Sequence, residues 1–293
     1  MTAGEEEDDA EVVGLKAAAG KLLTESGVGP LPPIVYHYTS LDTAIKILNS
    51  FEMWCANVAF SNDPSEGLHG QQVIAAVCAK DPDLKLSGAQ KLVADHIDGY
   101  AVSFSGEPNE LTQWRSYCAN GRGAAIGIDS AVLSQRKAVA FSHVEYDPQR
   151  QETLVRDLLD LFRAPILSAR FQQGDRPERP VAALALSFVM ARAMLKNPAY
   201  HSEKEYRLLD ALPRDPAQHT TTIAFFPRGG RSVPYFPVDL RASRADGATQ
   251  PVREVWIGPC LDVSVSTAAI QDTVAYVAQA FPIHVSTVPM RCD

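Results

Sequence analysis

Two glutamates and an arginine that alternate late in the chain, Glu203, Glu205 and Arg207, have the clearest potential for chemistry. They lie in a segment bounded by Pro198 and Pro213. Successive side chains of a β-strand point to opposite faces, so on a strand these three would share one face. Neighbouring carboxylates repel each other and are commonly placed to meet a cation or a ligand. The alternative interpretation is an edge strand whose charges discourage aggregation.

A second polar stretch, residues 36–40, opens a strand-helix unit near the start of the chain. Ile34–Tyr38 is predicted to form the strand, and Ser40 can cap the helix that follows. That helix has apolar residues at the i, i+3, i+4, i+7 spacing of a buried face. We predict that this strand and the strand of the glutamates share one β core, with His37 and Glu205 facing one cleft.

Composition limits the classes of function open to this chain. Its 293 residues are 46% hydrophobic, enough for one large domain or two small ones. No apolar run is long enough to span a membrane, so no membrane partner is expected. The net charge of -8 argues against broad electrostatic binding of nucleic acid, but leaves a local basic groove open.

Cysteine usage indicates a reducing compartment. The cysteines are odd in number and widely spaced: Cys55, Cys78, Cys118, Cys260 and Cys292. No C-x-x-C pair or His/Cys cluster has metal-ligand spacing, so no metal site is predicted. The acidic N-terminus lacks the basic and apolar pattern of a signal peptide. We therefore predict five free thiols and a cytoplasmic protein.

Two regions are predicted along the chain. Residues 1–33 would form an acidic tail, a helix over Val12–Glu25 and a Pro/Gly-rich linker. Residues 34–293 would form a single domain whose strands rarely alternate strictly with helices, which favours the α+β class. Two helices, Gln149–Ala169 and Pro180–Lys196, are predicted between strands. The other predicted strands are Phe51–Ala56, Tyr100–Phe104, Ala124–Ile128, Ala138–Tyr146, Thr220–Phe226, Tyr235–Val238, Val255–Ile257 and Ile283–Val285.

Other motifs favour structural roles. Gly121-Arg122-Gly123 resembles the start of a dinucleotide fingerprint, but it precedes a predicted strand and is interpreted as a helix-ending turn. Asn62 and Asp63 lack the further carboxylates of a calcium loop, so a local turn is favoured. Neither a Walker loop nor a nucleophile elbow is present.

Six short motifs follow one another in a characteristic order. They are Tyr36-His37-Tyr38-Thr39-Ser40, Ser61-Asn62-Asp63-Pro64-Ser65-Glu66, Phe104-Ser105, Gln113-Trp114-x-x-Tyr117 with Gly121 and Gly123, Glu203-x-Glu205-x-Arg207, and Val255-Trp256-Ile257-Gly258-Pro259. This ordered set resembles the bacterial family known as domain of unknown function 2971, over roughly Ile34 to Val288.

That family in turn looks distantly like ADP-ribosyltransferases of the diphtheria-toxin and poly-ADP-ribose-polymerase type. The early His of those enzymes matches His37, their aromatic residue after a middle strand matches Tyr117, and their late Glu matches Glu205. Glu203 and Ser103 loosely resemble the Glu-x-Glu and Ser-Thr-Ser of the arginine-modifying branch. The resemblance implies an ADP-ribosyltransferase-like split β core with inserted helices, and NAD as the substrate.

The resemblance also implies a division of roles around NAD. Cleavage of the nicotinamide–ribose bond passes through an oxocarbenium-like state, whose positive charge Glu205 would stabilise while Glu203 orients the acceptor. His37 would hold a ribose hydroxyl. The implied cofactor-binding residues are His37, Thr39, Ser103, Trp114 and Tyr117, with one of the last two stacking on the nicotinamide ring.

Two classes of function stay open. The first is an NAD-dependent ADP-ribosyltransferase or NAD glycohydrolase acting on an unknown protein or nucleic-acid acceptor, in a bacterial toxin, effector or defence setting. The second is a non-catalytic ligand-binding or sensor module that keeps an NAD-type cleft. A nuclease is disfavoured by the acidic charge and by the lack of a metal-binding carboxylate set.

Overall fold

The chain folds as a mixed α/β protein. The computed structural model describes residues 3–25, 30–61, 67–81, 96–135, 140–168, 179–215, 217, 221–241, 250–276 and 280–292. The described helices are α1 (Ala3–Glu25), α2 (Leu41–Ser50), α3 (Leu68–Cys78), α4 (Leu111–Tyr117), α5 (Ser130–Ser134), α6 (Pro148–Leu167), α7 (Arg179–Met194) and α8 (Val263–Tyr276). The strands are β1 (Ile34–Ser40), β2 (Glu52–Asn57), β3 (Ile97–Ser105), β4 (Gly123–Asp129), β5 (Ala140–His143), β6 (Glu205–Pro213), β7 (Ala224–Arg228), β8 (Arg231–Asp239), β9 (Val252–Ile257) and β10 (Ile283–Val285).

The strands form one ten-stranded mixed sheet. Its order is β10-β9-β4-β1-β3-β2-β8-β7, and β6 and β5 extend it from β3. β9 and β10 pair in parallel, whereas the pairs that surround β3 are antiparallel. Each predicted strand overlaps a strand of this sheet, and several are longer than the patterns indicated. β5 and β7 are shorter than predicted, and the predicted ends Ala138 and Thr220 lie outside the described residues. Asn62 and Asp63, predicted to form a turn, lie outside the described residues.

The sheet forks at β3, and this fork locates the site. β6 pairs with β3 along its whole length, from Ile97 to Ser105. The opposite edge of β3 is shared, because β1 joins it at Ser105 whereas β2 joins it at Tyr100 and Ala101. Between these contacts, residues 102–104 pair with neither strand in the described structure. Strands β1 and β2 therefore diverge at this edge of β3 and leave an opening between them.

Helices cover both faces of the sheet. On one face, α2 and α8 pack on a core that contains Leu48, Phe104, Ile126 and Ile270. On the other face, α1, α3, α6 and α7 bury a second cluster together with Leu209 of β6. None of the described helices has the length and apolar content needed to cross a membrane.

Helix α1 belongs to the same packed body as the sheet. The predicted helix over Val12–Glu25 is present, but it begins earlier, at Ala3. Val12, Ala19 and Leu23 are buried against α6 and α7, and the Ser142 hydroxyl on β5 donates a hydrogen bond of 2.9 Å to the Leu23 carbonyl. Helix α1 therefore does not form a separate arm before the domain, because its buried residues complete the second core.

The glycines after α4 form the predicted helix-ending turn. Gly121 has a φ of 82°, a left-handed value that favours glycine, and its N–H donates to the Trp114 carbonyl at 2.9 Å. A Cβ on Gly123 would lie 2.1 Å from the Thr39 carbonyl oxygen. Glycine is therefore required where β4 begins beside β1.

The expectation of five free thiols is wrong. Cys260 and Cys292 form a disulfide that ties the C-terminal segment to the turn after β9. Cys55, Cys78 and Cys118 are free and buried. An odd count cannot exclude one pair, and these two cysteines are 32 positions apart in the sequence. The cysteine argument for a cytosolic protein therefore loses its basis.

Thiol titration of the denatured protein tests this correction. Because one disulfide removes two thiols, we expect three reactive thiols without reductant and all five after reduction. A Cys292→Ser variant should show four thiols without reductant, since Cys260 loses its partner. Five thiols in the unreduced wild type would contradict the disulfide.

Candidate functional site

An open, shallow cleft lies at the fork of the sheet. Its enclosed volume is about 70 Å³, below the range of roughly 300–1,000 Å³ that small-molecule sites occupy. The residues that line the cleft come from β1, β3, α4 and the start of β6. They are Tyr36, His37, Tyr38, Ser103, Phe104, Ser105, Gln113, Tyr117, Glu203 and Glu205.

His37 and Glu205 reach this cleft from opposite faces of the sheet. Ser105 pairs with both Tyr36 and Glu205, so these three side chains start from one face. His37 is next along β1 and starts from the other face, where its ring meets Phe104 at 5.9 Å. Both strands lie in one sheet and both residues line one cleft, as predicted, but the expectation that the two side chains lie on the same side of the sheet is wrong, because strand alternation separates them. They share a cleft because the sheet opens here.

His37 presents one ring nitrogen to a ligand. Its Nδ1 lies 3.0 Å from the Ser103 carbonyl oxygen, and because a carbonyl only accepts, Nδ1 must carry the proton. Burial lowers the pKa of His37 below its usual value, although the bond to Ser103 acts in the opposite direction. The ring is therefore neutral at pH 7. Its Nε2 has no hydrogen-bond partner among the described residues and is left as an acceptor.

Glu205 is held in a buried ion network. Arg207 donates from Nε to Oε1 at 2.7 Å and from Nη2 to Oε2 at 3.0 Å. Lys196 Nζ donates to Oε2 at 2.9 Å, and the Ser103 hydroxyl donates as well. A carboxylate offers about four acceptor positions. Its acceptor positions are therefore filled by protein donors.

This network keeps Glu205 ionised. Burial alone would raise its pKa, but the charges of Arg207 and Lys196 and the hydrogen bonds from Arg207 and Ser103 lower it to about 2. Because the folded pKa lies below the unfolded value of 4.5, Glu205 stabilises the fold above pH 4.5, and this contribution is lost as the pH falls towards 2.

We therefore expect acid to destabilise the wild type more steeply than Glu205→Gln. The shift is equivalent to on the order of 3 kcal/mol, lost between pH 4.5 and 2. Urea unfolding at a series of pH values measures it. Parallel pH profiles for wild type and Glu205→Gln would show that the carboxylate is not coupled to the two cations.

Glu203 has one carboxylate oxygen that accepts no hydrogen bond from the described residues. It ends the 3-10 turn Pro198–Glu203, and Lys204 follows with a φ of 45°. Lys196 Nζ donates to Glu203 Oε2 at 2.5 Å, whereas Oε1 has no partner in the described part of the chain. The prediction that Glu203 shares a strand face with Glu205 and Arg207 is wrong, because the strand begins only at Glu205. Glu205 and Arg207 do share a face.

Lys196 links the two glutamates. Burial lowers its pKa, but the charges and hydrogen bonds of Glu205 and Glu203 dominate and raise it. Arg207 extends the network to α7, because Nη1 donates to the Ala193 carbonyl at 2.6 Å. Two cations and two anions thus form a fixed, nearly neutral assembly beneath the cleft.

Helix α4 brings Gln113 and Tyr117 to the cleft. They are four residues apart and so share one helical face. Tyr117 is 40% exposed, which leaves ring surface available for a planar ligand. Trp114 is fully buried, meets Tyr38 at 4.9 Å and donates from Nε1 to Asn109. It is therefore a core residue, and the interpretation that it stacks on a ligand is not supported by its position.

The remaining predicted site residues divide in two. Ser103 lines the cleft, whereas Thr39 is buried at the end of β1 and does not. The sequence missed Gln113 and Lys196. Helical periodicity could have found Gln113 from Tyr117, but no local pattern connects Lys196 to the glutamates.

No metal centre was found in the described ranges. There, no three His, Cys, Asp or Glu side chains are grouped so that they could hold an ion.

Comparison with known proteins gives one finding. Residues 113–208 match a protein family of unknown function, DUF2971. The matched stretch runs from α4 into β6 and includes Tyr117, Lys196, Glu203 and Glu205, but not β1 with His37. The resemblance to that family is therefore supported over this stretch. Neither the curated proteins nor the solved structures contain a match.

Proposed function

We propose that this protein cleaves the nicotinamide–ribose bond of NAD and transfers ADP-ribose to a macromolecule or to water. The observation that carries the proposal is the cleft that joins a neutral His37, an exposed Tyr117, an ionised Glu205 and the neighbouring Glu203. A sheet that forks at the site, with α6 and α7 inserted before β6, agrees with an ADP-ribosyltransferase-like split β core.

His37 and Tyr117 would bind the nicotinamide riboside half of NAD. The free Nε2 of a neutral His37 accepts a hydrogen bond from a ribose hydroxyl and so fixes the sugar. The exposed ring of Tyr117 stacks on the nicotinamide, and the amide of Gln113 lies on the same helical face to meet a polar group of that ring. These contacts position the substrate without proton transfer.

Glu203 would stabilise the reacting centre. When the bond breaks, its electron pair leaves with nicotinamide, which becomes neutral, and positive charge develops on the ribose. A carboxylate oxygen beside the ribose stabilises that charge, and Oε1 of Glu203 is an oxygen to which none of the described residues donates. The same carboxylate then accepts the proton of the attacking water or acceptor hydroxyl.

Glu205 would act as a positioning residue. Because its acceptor positions are filled, it holds Lys196 and Arg207, and Lys196 in turn holds Oε2 of Glu203. We therefore reverse the roles that the resemblance implies for the two glutamates. Only the exposed Ser103 hydroxyl could be displaced from Glu205 by a ligand.

A non-catalytic binding module is the second candidate. It is favoured by the same filled acceptor positions, since a carboxylate fixed by two cations is common in structural networks. Both candidates predict that NAD binds and raises the melting temperature. They differ in turnover, because only the enzyme releases nicotinamide. A wild type whose melting temperature does not respond to NAD would contradict both.

A further inference from the structure

Three aromatic rings form a partly exposed surface on β2, β7 and β8. Trp54 stacks on Tyr235 with ring centroids 4.3 Å apart, and Phe226 lies 5.4 Å from Trp54 and 5.6 Å from Tyr235. Trp54 is 43% exposed, although large apolar side chains are usually buried. We call Trp54, Phe226 and Tyr235 the ring surface.

Strand register places the ring surface on the face that carries Ser103. Ala56 pairs with Ala101 of β3, so Trp54 and Ser103, each two residues away, project to the same side of the sheet. Tyr235 pairs with Ala56 and therefore shares this side. Trp54 lies on β2, which diverges from β1 at the fork.

Two arginines lie on the same side as the rings. Arg228 and Arg231 pair across the β7–β8 turn and are both exposed. The guanidinium of Arg228 lies 5.8 Å from the centre of the Phe226 ring and donates to the Phe60 carbonyl. The guanidinium of Arg231 has no acidic partner among the described residues. The net charge of the chain is -8, so this pair is a local basic group on an acidic protein.

We propose that the ring surface binds unpaired bases of single-stranded nucleic acid, with Arg228 and Arg231 contacting the phosphates. Aromatic rings next to arginines are the combination with which proteins hold single strands, because every base has a face that can stack. A duplex hides those faces within its own stack, so it would contact the arginines only. The binding site needs no NAD and is tested apart from the function proposed above.

A second copy of this chain fits the ring surface poorly. A two-fold dimer brings identical surfaces together, so Arg228 and Arg231 would enter the interface together with the same two arginines of the partner. Like charges placed face to face oppose association. A phosphate backbone instead supplies the opposite charge.

Fluorescence anisotropy with a short labelled oligothymidylate tests the proposal. Wild type should bind it, and Trp54→Ala should weaken binding roughly 5- to 100-fold, the scale of one lost base stack. Trp54→Phe keeps a ring and should retain most of the affinity. Phe225→Ala is the matched control, because Phe225 is 64% exposed on the neighbouring position of β7 but projects to the other face. It should bind like wild type.

Arginine variants and a comparison of duplex with single-stranded DNA test the proposal independently of Trp54. Arg231→Gln should weaken binding and reduce the slope against salt concentration by about one, whereas Arg150→Gln on exposed α6 should do neither. Duplex of the same length should bind more weakly than single strand. Melting temperatures exclude unfolding as the cause of any loss.

Several outcomes would overturn the proposal. These are a wild type that does not bind the oligonucleotide at low salt, equal losses in Trp54→Ala and Phe225→Ala, or equal binding of duplex and single strand. Light scattering that shows a dimer which Trp54→Ala dissociates would assign the ring surface to a second copy instead. A proline-rich peptide that binds the wild type when the oligonucleotide does not would assign it to a protein partner.

Discussion

Glu203→Gln is expected to lower the rate of nicotinamide release by about two to three orders of magnitude, the effect of removing one electrostatic stabiliser. The substitution keeps the shape of the side chain and removes its charge. NAD binding should survive, because the ground state carries little of the charge that Glu203 meets in the transition state. The melting temperature should fall less than for Glu205→Gln, since Lys196 keeps Glu205 as a charged partner and the amide oxygen of the introduced glutamine can still accept from it.

Two comparisons make this expectation specific to Glu203. Glu152→Gln removes an exposed carboxylate on α6 and should leave the rate unchanged. Glu205→Gln should lower the melting temperature as well as the rate, because Arg207 and Lys196 lose their buried partner. A fall in rate for Glu205→Gln with no change in stability, beside a fully active Glu203→Gln, would return the reacting role to Glu205.

Arg207→Met is expected to destabilise the protein by about 3–5 kcal/mol, the scale for breaking one side of a buried ion pair. Methionine approximates the length of the side chain but leaves Glu205 buried with only Lys196 as a cation. It also removes the bond from Nη1 to the Ala193 carbonyl, which joins β6 to α7. Urea unfolding at neutral pH measures the loss.

Arg214→Met is the matched control. Arg214 follows the end of β6 and pairs with Asp98 at the surface, where its side chain is 48% exposed. Surface ion pairs contribute about 1 kcal/mol or less. Equal losses for Arg207→Met and Arg214→Met would show that the buried network does not stabilise the fold.

Local patterns in the sequence predicted the helix and strands that hold the site. Ser40 caps α2 and accepts from the Thr43 N–H at 3.3 Å, as its residue type indicated. Alternating and continuous apolar runs located β1, β3 and β6. These signals act between neighbouring residues, so one sequence is enough to read them.

The errors arise where a long-range or unusual local feature decides the structure. The sequence predicts a strand that includes Glu203, but Lys204 has a left-handed backbone conformation that ends a 3-10 turn. This conformation is uncommon for lysine, so the residue type does not predict it. Trp114 was assigned to the cleft by motif, although helical period places Gln113 beside Tyr117. The fork of the sheet arises because β1 and β2 pair with different parts of β3. No local sequence pattern predicts this pairing.

Nicotinamide release from NAD by purified wild type, followed over time beside Glu203→Gln, tests the central claim most directly. The account predicts steady release by wild type and a rate lower by about two to three orders of magnitude for the folded variant. A wild type that binds NAD but releases no nicotinamide, with or without candidate acceptors, would contradict it.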